Sequence, residues 1–441
     1  MRAYIVIDLG FGDAGKGLIT DFLVRQTHAG VVVRYNGGAQ AGHNVISPQG
    51  IHHTFSQFGS GSFVAGVKTY LSKHTLVHPG ALLVEGDQLI KKGIDDIFSR
   101  IKISDQALII TPYHQAANRI KELARQNGRH GSCGVGVGET VEDNLAGYED
   151  CIRAGDLAKP ALLLQRMASI RERKQKELTE SFSNDLSSGP TENEWQFFKQ
   201  DDLALRWMES IRRVVELDLV DNTDILSVWS KGTDSIVFEG AQGVLLDAKA
   251  GFYPYNSWTN CSPENAIALV RESAPTCEII KVGVSRCYTV RHGPGPLPTE
   301  THTLDGIINE HNQINPWQGS VRYGWFDQVL FDYALKVING VDRLAITHLD
   351  ILRYLDCWKM SKRYSPENDL ETRLPTYPSL SLAQKEIVSR QLMTAKPEYE
   401  SYKSRESEIV RVIEQTSGLS TAITAHGPQF QDVTIKESNA M

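Results

Sequence analysis

The residues best equipped for chemistry stand at the start of the chain, in Gly10-Phe11-Gly12-Asp13-Ala14-Gly15-Lys16-Gly17. Gly10, Gly15 and Lys16 match the spacing G-x-x-x-x-G-K, in which backbone N–H groups and a lysine cradle phosphate oxygens. The Ser or Thr that usually follows the lysine, a magnesium ligand, is replaced by Gly17. Asp13 brings a negative charge into a loop built for phosphates, so it is suited to hold a metal, to take a proton, or both. A second glycine-rich stretch, 36–44, contains Gly42-His43-Asn44. A histidine near a phosphate site can donate a proton to a phosphoanhydride leaving group. In Glu239-Gly240-Ala241-Gln242-Gly243, Gln242 offers an amide that both donates and accepts, which suits a purine edge. Thr347-His348-Leu349-Asp350 is one residue away from T-K-x-D, a pattern whose aspartate accepts hydrogen bonds from guanine. Gly427-Pro428 could close the same base pocket. Arg291, in the Gly/Pro-dense stretch 289–300, is available for an anion or a ribose. The glycine-rich loop 131–138 could wrap a ligand or cover a site.

These loops need strands to carry them. The apolar run 3–9 reads as a buried strand, and 18–24 has helical spacing. The Lys16 loop therefore joins a strand to a helix N-terminus, whose dipole favours anions. Further strands are expected at 30–35, 68–76, 107–111, 235–238, 278–284 and from 343. Amphipathic helices are expected over 81–100 and 115–127. Residues 156–220 are polar and helix-rich, with a loop at 181–191, and read as a helical insertion reaching about 230. The predicted fold is α/β: a large P-loop-NTPase-like domain spanning 1–441, with a central, mostly parallel sheet and helical insertions.

The composition fits that picture. Of 441 residues, 41% are hydrophobic and 22% charged, ordinary values for a soluble globular protein. The net charge of −7 gives no sign of a nucleic-acid surface, and no apolar run is long enough to span a bilayer. The N-terminus enters a strand directly, without a signal-peptide pattern. Six cysteines without a C-x-x-C pair argue against structural zinc and disulfides and fit a reducing cytoplasm.

Taken in order, these blocks resemble the adenylosuccinate synthetases. The matching pieces are G-D-x-G-K-G at 12–17, V-V-R-Y-x-G-G at 32–38, A-G-H at 41–43 and F-E-G-A-Q-G-x-L-L-D at 238–247. Y-P-Y at 253–255, G-P-x-P-T-E at 295–300, G-W-x-D at 324–327 and the L-D of 349–350 complete them. The resemblance implies a homodimeric ligase that joins IMP to L-aspartate at the expense of GTP, with Mg2+. It implies that Asp13 takes the N1 proton of the purine and binds magnesium, that Gly42 gives a backbone carbonyl to magnesium, and that Lys16 neutralises phosphate. His43 would protonate or stabilise the departing phosphate, Gln242 would hold the 6-oxo side of the purine, and His348 and Asp350 would face guanine. Gly12, Gly15, Gly17, Gly427 and Pro428 complete the nucleotide site. Gln40, Ser132, Cys133, Ser257 and Arg291 join Asp13 and Gln242 around the purine substrate. Thr299 and Arg322 fall to the amine. The small-molecule substrates call for neither nucleic acid nor membrane.

The departures are informative too. Ala14 replaces the family's Glu, Gln40 its Asn, Ser132-Cys133 its Thr-Thr, Val135 its Arg and His348 its Lys. No Arg or Lys occurs between Gly134 and Arg153, where the family supplies an arginine to the partner subunit's IMP phosphate. In the aspartate loop, Gly319 and Val321 stand where the family grips carboxylates, and only Arg322 is left. Bidentate Arg–carboxylate contacts are among the strongest polar contacts in a dry site, so their loss bears on the amine. Two alternatives follow: a paralogue with a different purine or amine, and a nucleotide-binding protein without turnover.

Overall fold

The computed structural model describes residues 1–186, 189–308, 317, 319–365, 374–375 and 379–436. Its centre is β1 (Arg2–Asp8), buried on both faces after Arg2, as a middle strand of a parallel sheet must be. The same sheet contains β2 (Val31–Arg34), β3 (Lys68–Leu71), β4 (Ile101–Ser104), β5 (Val220–Asp221), β6 (Ser235–Glu239) and β7 (Glu278–Arg286). Outside it, β8 (Thr289–His292) and β9 (Val321–Gly324) pair antiparallel, with His292 opposite Val321. Next come β10 (Arg343–Thr347), β11 (Thr421–Ala425) and β12 (Val433–Ile435), which return to the main sheet. Its order is β12-β11-β10-β7-β1-β6-β2-β3-β4-β5, parallel throughout except for the β11–β12 pair. The mostly parallel α/β sheet expected from sequence is present. Its register brings Asp8, Arg34, Glu239 and Thr347 to strand carboxyl ends, with Arg34 directly opposite Glu239.

Local differences from the sequence reading have local causes. The helix expected over 81–100 is α2 (Pro79–Lys91), which stops before Gly93, at φ 90°. A single 3-10 turn, Ile97–Arg100, then feeds β4, a strand that the sequence reading did not anticipate. The strand expected at 68–76 ends at Leu71. Leu76–Val77 and Leu108–Ile109 pair with each other instead, outside the main sheet.

Helices α3 (Pro112–Ala124), α4 (Val137–Leu145), α5 (Pro160–Phe182), α6 (Glu192–Lys199) and α7 (Leu203–Glu216) form the helical side of the molecule. The apolar residues of α5, α6 and α7 include Met167, Ile170, Phe198, Trp207 and Ile211. They share one core with Ile101 and Ile103 of β4. Of the loop expected at 181–191, residues 187 and 188 lie outside the described residues. Charge fixes the base of the loop 131–138. Lys174 Nζ on α5 lies 2.8 Å from Glu139 and 3.0 Å from Asp143, both on α4, and His114 on α3 holds Asp143 at 3.0 Å. All these side chains are buried, a setting in which breaking one ion pair is costly.

Candidate active site

The loop after β1 winds tightly, with Gly12, Asp13 and Gly15 all at positive φ (96°, 57° and 93°). Asp8 organises it. Its Oδ1 accepts the Gly10 N–H at 2.9 Å, and its Oδ2 accepts the Ala14 N–H at 2.9 Å and Lys16 Nζ at 2.8 Å. Lys16 opens helix α1 (Lys16–Thr27), and its side chain is buried against Asp8. Close packing explains Gly17. A Cβ there would stand 2.9 Å from the His43 Cβ and 3.2 Å from the Asn44 carbonyl oxygen. The strand His43–Ile46 thus takes the space that a hydroxyl side chain would need, with Gly42 at its entry.

His43 is buried, and its Nδ1 lies 2.5 Å from Glu239 Oε1 at the end of β6. Glu239 also accepts the Ser60 N–H at 3.0 Å and the Ser60 hydroxyl, and Arg34 lies 3.9 Å away. Burial opposes the Glu239 charge, but Arg34, His43 and Ser60 outweigh it and hold the carboxyl at about 2. Burial, with Arg34 and Lys16, lowers the His43 pKa despite the attraction of Glu239.

Asp13 faces the β8–β9 hairpin. Its Oδ2 lies 2.5 Å from His292 Nε2, and its backbone carbonyl accepts from Arg286 Nε at 2.5 Å. Burial would raise the Asp13 pKa, but the His292 hydrogen bond and the charges of His292, Arg286 and Lys16 hold it below the usual carboxylate range. His348 closes over the same loop. A Cβ on Gly15 would be 3.7 Å from its Cε1, and its Nδ1 lies 2.9 Å from Thr347 Oγ1. Burial, with Arg286 nearby, depresses the His348 pKa well below its ordinary value. Asp350 follows in a 3-10 turn, Leu349–Tyr354, half-buried and with a raised pKa caused by burial. Gly427 packs tightly on Asp432, whose carboxylate accepts the Gln429 N–H at 2.9 Å and fixes the turn through Pro428.

Gln242 has φ 52°, and its backbone lies over Gly12. Its side-chain oxygen accepts from Thr259 Oγ1 at 3.2 Å, and that hydroxyl meets Ser257 Oγ at 2.9 Å. Asn36 ties this loop down by accepting the Ala241 N–H at 2.7 Å and donating to the Asn260 carbonyl at 2.8 Å. Gln40 Oε1 is buried without a hydrogen-bond partner, a condition that a bound ligand would relieve. In the loop 131–138, Ser132 Oγ pairs with the Asn118 amide at 2.9 Å, and burial pushes the Cys133 thiol up to about 11. This loop abuts the hairpin side: a Cβ on Gly131 would meet Pro294, and one on Gly134 would meet Trp317.

Three residues expected to face ligands are occupied otherwise. The Arg291 guanidinium is buried and donates to the carbonyls of Pro294 (3.0 Å), Pro296 (3.3 Å) and Tyr255 (2.8 Å). Burial, with Arg322 adding, pushes its pKa down to about 9. Arg322 donates to the carbonyls of Gly293 (3.0 Å) and Gly295 (2.7 Å) and to Glu300 Oε2 (2.7 Å). Thr299 is fully buried and donates to the Trp325 carbonyl at 2.7 Å. A loop dense in glycine and proline pairs few of its own carbonyls, and these side chains satisfy them. Pro316 and Gln318 of the altered loop lie outside the described residues.

Lys16 of the loop 10–17 and its Asp13 thus have His43 beside Gly17, Gln242 beside Gly12 and His348 beside Gly15, at one end of the sheet. Sequence reasoning missed four partners: Asp8, Glu239, Arg286 and His292. Asp8 and Glu239 carry a usable signal, an acid closing an apolar strand just before a glycine loop. Arg286 and His292 carry none.

The family model described as adenylosuccinate synthetase matches residues 5–434. An adenylosuccinate synthetase of Synechococcus sp. (strain WH7803) is 32% identical over 390 residues, covering 87% of this chain and 83% of that protein. One from Mycobacterium leprae (strain TN) is 30% identical over 439 residues, covering 97% and 96%. Among solved structures, the fully ligated adenylosuccinate synthetase of Plasmodium falciparum aligns with a TM-score of 0.77 at 19% identity. That alignment covers 99% of this chain and 100% of that one. On sequence over nearly its whole length and on fold, this chain belongs to the adenylosuccinate synthetase family, ligases that form a C–N bond with GTP as co-substrate and Mg2+ as cofactor.

Proposed function

We propose that this chain phosphorylates the 6-oxygen of IMP, or of a close 6-oxopurine, with GTP and lets an amine displace it; L-aspartate is the amine the family uses. The observation that carries this reading is the convergence of an acid held ionised, Asp13, and a carboxylate-anchored imidazole, His43, on the Lys16 phosphate loop. A protein that only bound nucleotide would need neither.

The family resemblance assigns the roles, and the chemistry agrees with them. Asp13 accepts the N1 proton, which makes the 6-oxygen nucleophilic toward the γ-phosphate of GTP. Glu239 fixes the His43 ring and supports its protonated form, and His43 stabilises the departing phosphate of GDP. Lys16 and the N–H groups around Gly12, Gly15 and Gly17 balance phosphate charge. Gln242 holds the 6-oxo edge, while Gln40, Ser132, Cys133 and Ser257 line the rest of the purine substrate. Asp350, with His348, Gly427 and Pro428, receives guanine. Arg291, Thr299 and Arg322 hold the shape of the loop beside the amine. An ionised carboxylate and a backbone carbonyl are hard oxygen donors that suit Mg2+. Asp13 and Gly42 would hold it, and the bound ion supplies neutralisation of phosphate charge. We also propose a cytoplasmic homodimer. Family membership supports the dimer. The free state of all six cysteines supports the compartment, as does the lack, among the described residues, of any helix long and apolar enough to cross a membrane.

The test is GDP release from GTP with Mg2+, IMP and L-aspartate, run beside Asp13→Ala. Purine-dependent GDP release that is abolished in the variant supports the reading. GDP release that ignores both purine and variant removes it.

A further inference from the structure

Asp13 is held from two sides by one short piece of chain. Arg286, which ends β7, donates through Nε to the Asp13 carbonyl at 2.5 Å, and His292, which ends β8, meets Asp13 Oδ2 through Nε2 at 2.5 Å. An ionised carboxylate can only accept, so the imidazole is the donor of that bond. The first contact braces a backbone at φ 57°, which a non-glycine residue keeps only where its surroundings over-determine it. The second fixes the rotation of the carboxylate. The donor is itself anchored on both sides. Arg291 before it is buried, and its guanidinium binds the carbonyls of Pro294, Pro296 and Tyr255. Gly293 after it donates its N–H to the Ser320 carbonyl at 3.1 Å and accepts from Arg322 Nε at 3.0 Å. His292 lies opposite Val321 in the β8–β9 pairing. The ring therefore sets where the carboxylate stands, rather than following it. A base must lie within hydrogen-bond reach of the proton it takes, and a misplacement of about 1 Å can cost about a hundredfold in rate.

We propose that His292 is a positioning residue for Asp13: its Nε2–H holds Oδ2 so that the carboxylate meets the N1 proton of the purine in the right place. The inference rests on the ligase reading above and adds a residue to its first step. In this role His292 acts only through Asp13 and transfers no proton.

His292→Met fills the space of the ring without a donor, and His292→Gln returns a side-chain N–H near the place of Nε2. GDP release is measured with GTP, Mg2+, IMP and L-aspartate, varying GTP and IMP separately. The expected result for His292→Met is a kcat lower by about 10- to 100-fold at an unchanged KM for GTP. His292→Gln should recover most of that loss. A His292→Met protein that keeps its kcat, or a His292→Gln protein no better than His292→Met, would overturn the inference. So would a denaturation midpoint that falls together with kcat in His292→Met, or a KM for GTP that rises as kcat falls, since the contact would then serve the structure of the loop. Each of these outcomes leaves the ligase reading standing. An unaltered protein that releases no purine-dependent GDP would overturn both.

Discussion

His43 Nδ1 and Glu239 Oε1 lie 2.5 Å apart, a contact across 196 residues between the first residue of the strand His43–Ile46 and the end of β6. The contact fixes which imidazole nitrogen faces away from the sheet. Glu239→Gln keeps an acceptor near Nδ1 but removes the charge that supports imidazolium. It should lower kcat about 10- to 100-fold with little change in the KM for GTP, within the range general acid catalysis supplies. Steady-state kinetics at fixed IMP check this. The acid limb of stability gives a second readout. The folded pKa of Glu239, about 2, lies below its ordinary 4.5, so its contribution is present above 4.5 and lost as pH falls through 2. The variant should show less of that loss.

Lys16 and Asp8 form a buried pair at 2.8 Å, with side chains 3% and 0% exposed. Removing one partner leaves the other charge buried. Lys16→Met should therefore cost about 3–5 kcal/mol in stability as well as activity. Urea denaturation separates the two effects, because a lysine that served phosphate alone would leave the midpoint unchanged.

In the proposed function Asp350 accepts from the two N–H groups on the guanine edge. Asp350→Asn exchanges one acceptor for a donor. The KM for GTP should rise by about tenfold or more, while XTP, with an oxygen at C2, should gain. Comparing the two nucleotides in the GDP or XDP release assay decides the point. Equal loss for both would remove Asp350 from base recognition.

Asp327 caps α8 (Gln328–Val337) by accepting the Leu330 N–H at 3.1 Å, and it accepts the Tyr364 hydroxyl at 3.0 and 2.9 Å. Burial pushes its pKa up to about 7, which the Leu330 and Tyr364 hydrogen bonds only partly offset. A folded pKa above the ordinary 3.8 means stability that is full below 3.8 and lost as pH rises through 7. Asp327→Asn keeps the cap without the titration. Relative to the unaltered protein, it should gain on the order of 3 kcal/mol between pH 4 and 8. Denaturation midpoints across that range measure the difference.

The sequence was most readable where chemistry is local. Gly10 to Gly17 carries its own spacing, its strand and its helix, so the Lys16 loop could be placed from eight residues. The parallel sheet was legible because its central strands are apolar on both faces. The contacts that tune the site were not. Asp13 meets His292 across 279 residues, and no periodicity reports such a meeting. Arg291 read as a ligand residue because an arginine's type announces an anion, and Arg322 because the family resemblance put it in the aspartate loop. Their actual partners are carbonyls freed by the glycines and prolines of one loop, which depend on its folded path. The helix expected over 81–100 is present but ends early for a simpler reason: Gly93 at φ 90° breaks a pattern that spacing alone continues.

The most direct test of the central claim follows the oxygen. IMP labelled with 18O at the 6-position is turned over with GTP, Mg2+ and an amine that supports GDP release, and the phosphate formed is analysed by mass spectrometry. Activation of the 6-oxygen predicts one 18O in each phosphate released. Unlabelled phosphate accompanying N6-substituted product would contradict it.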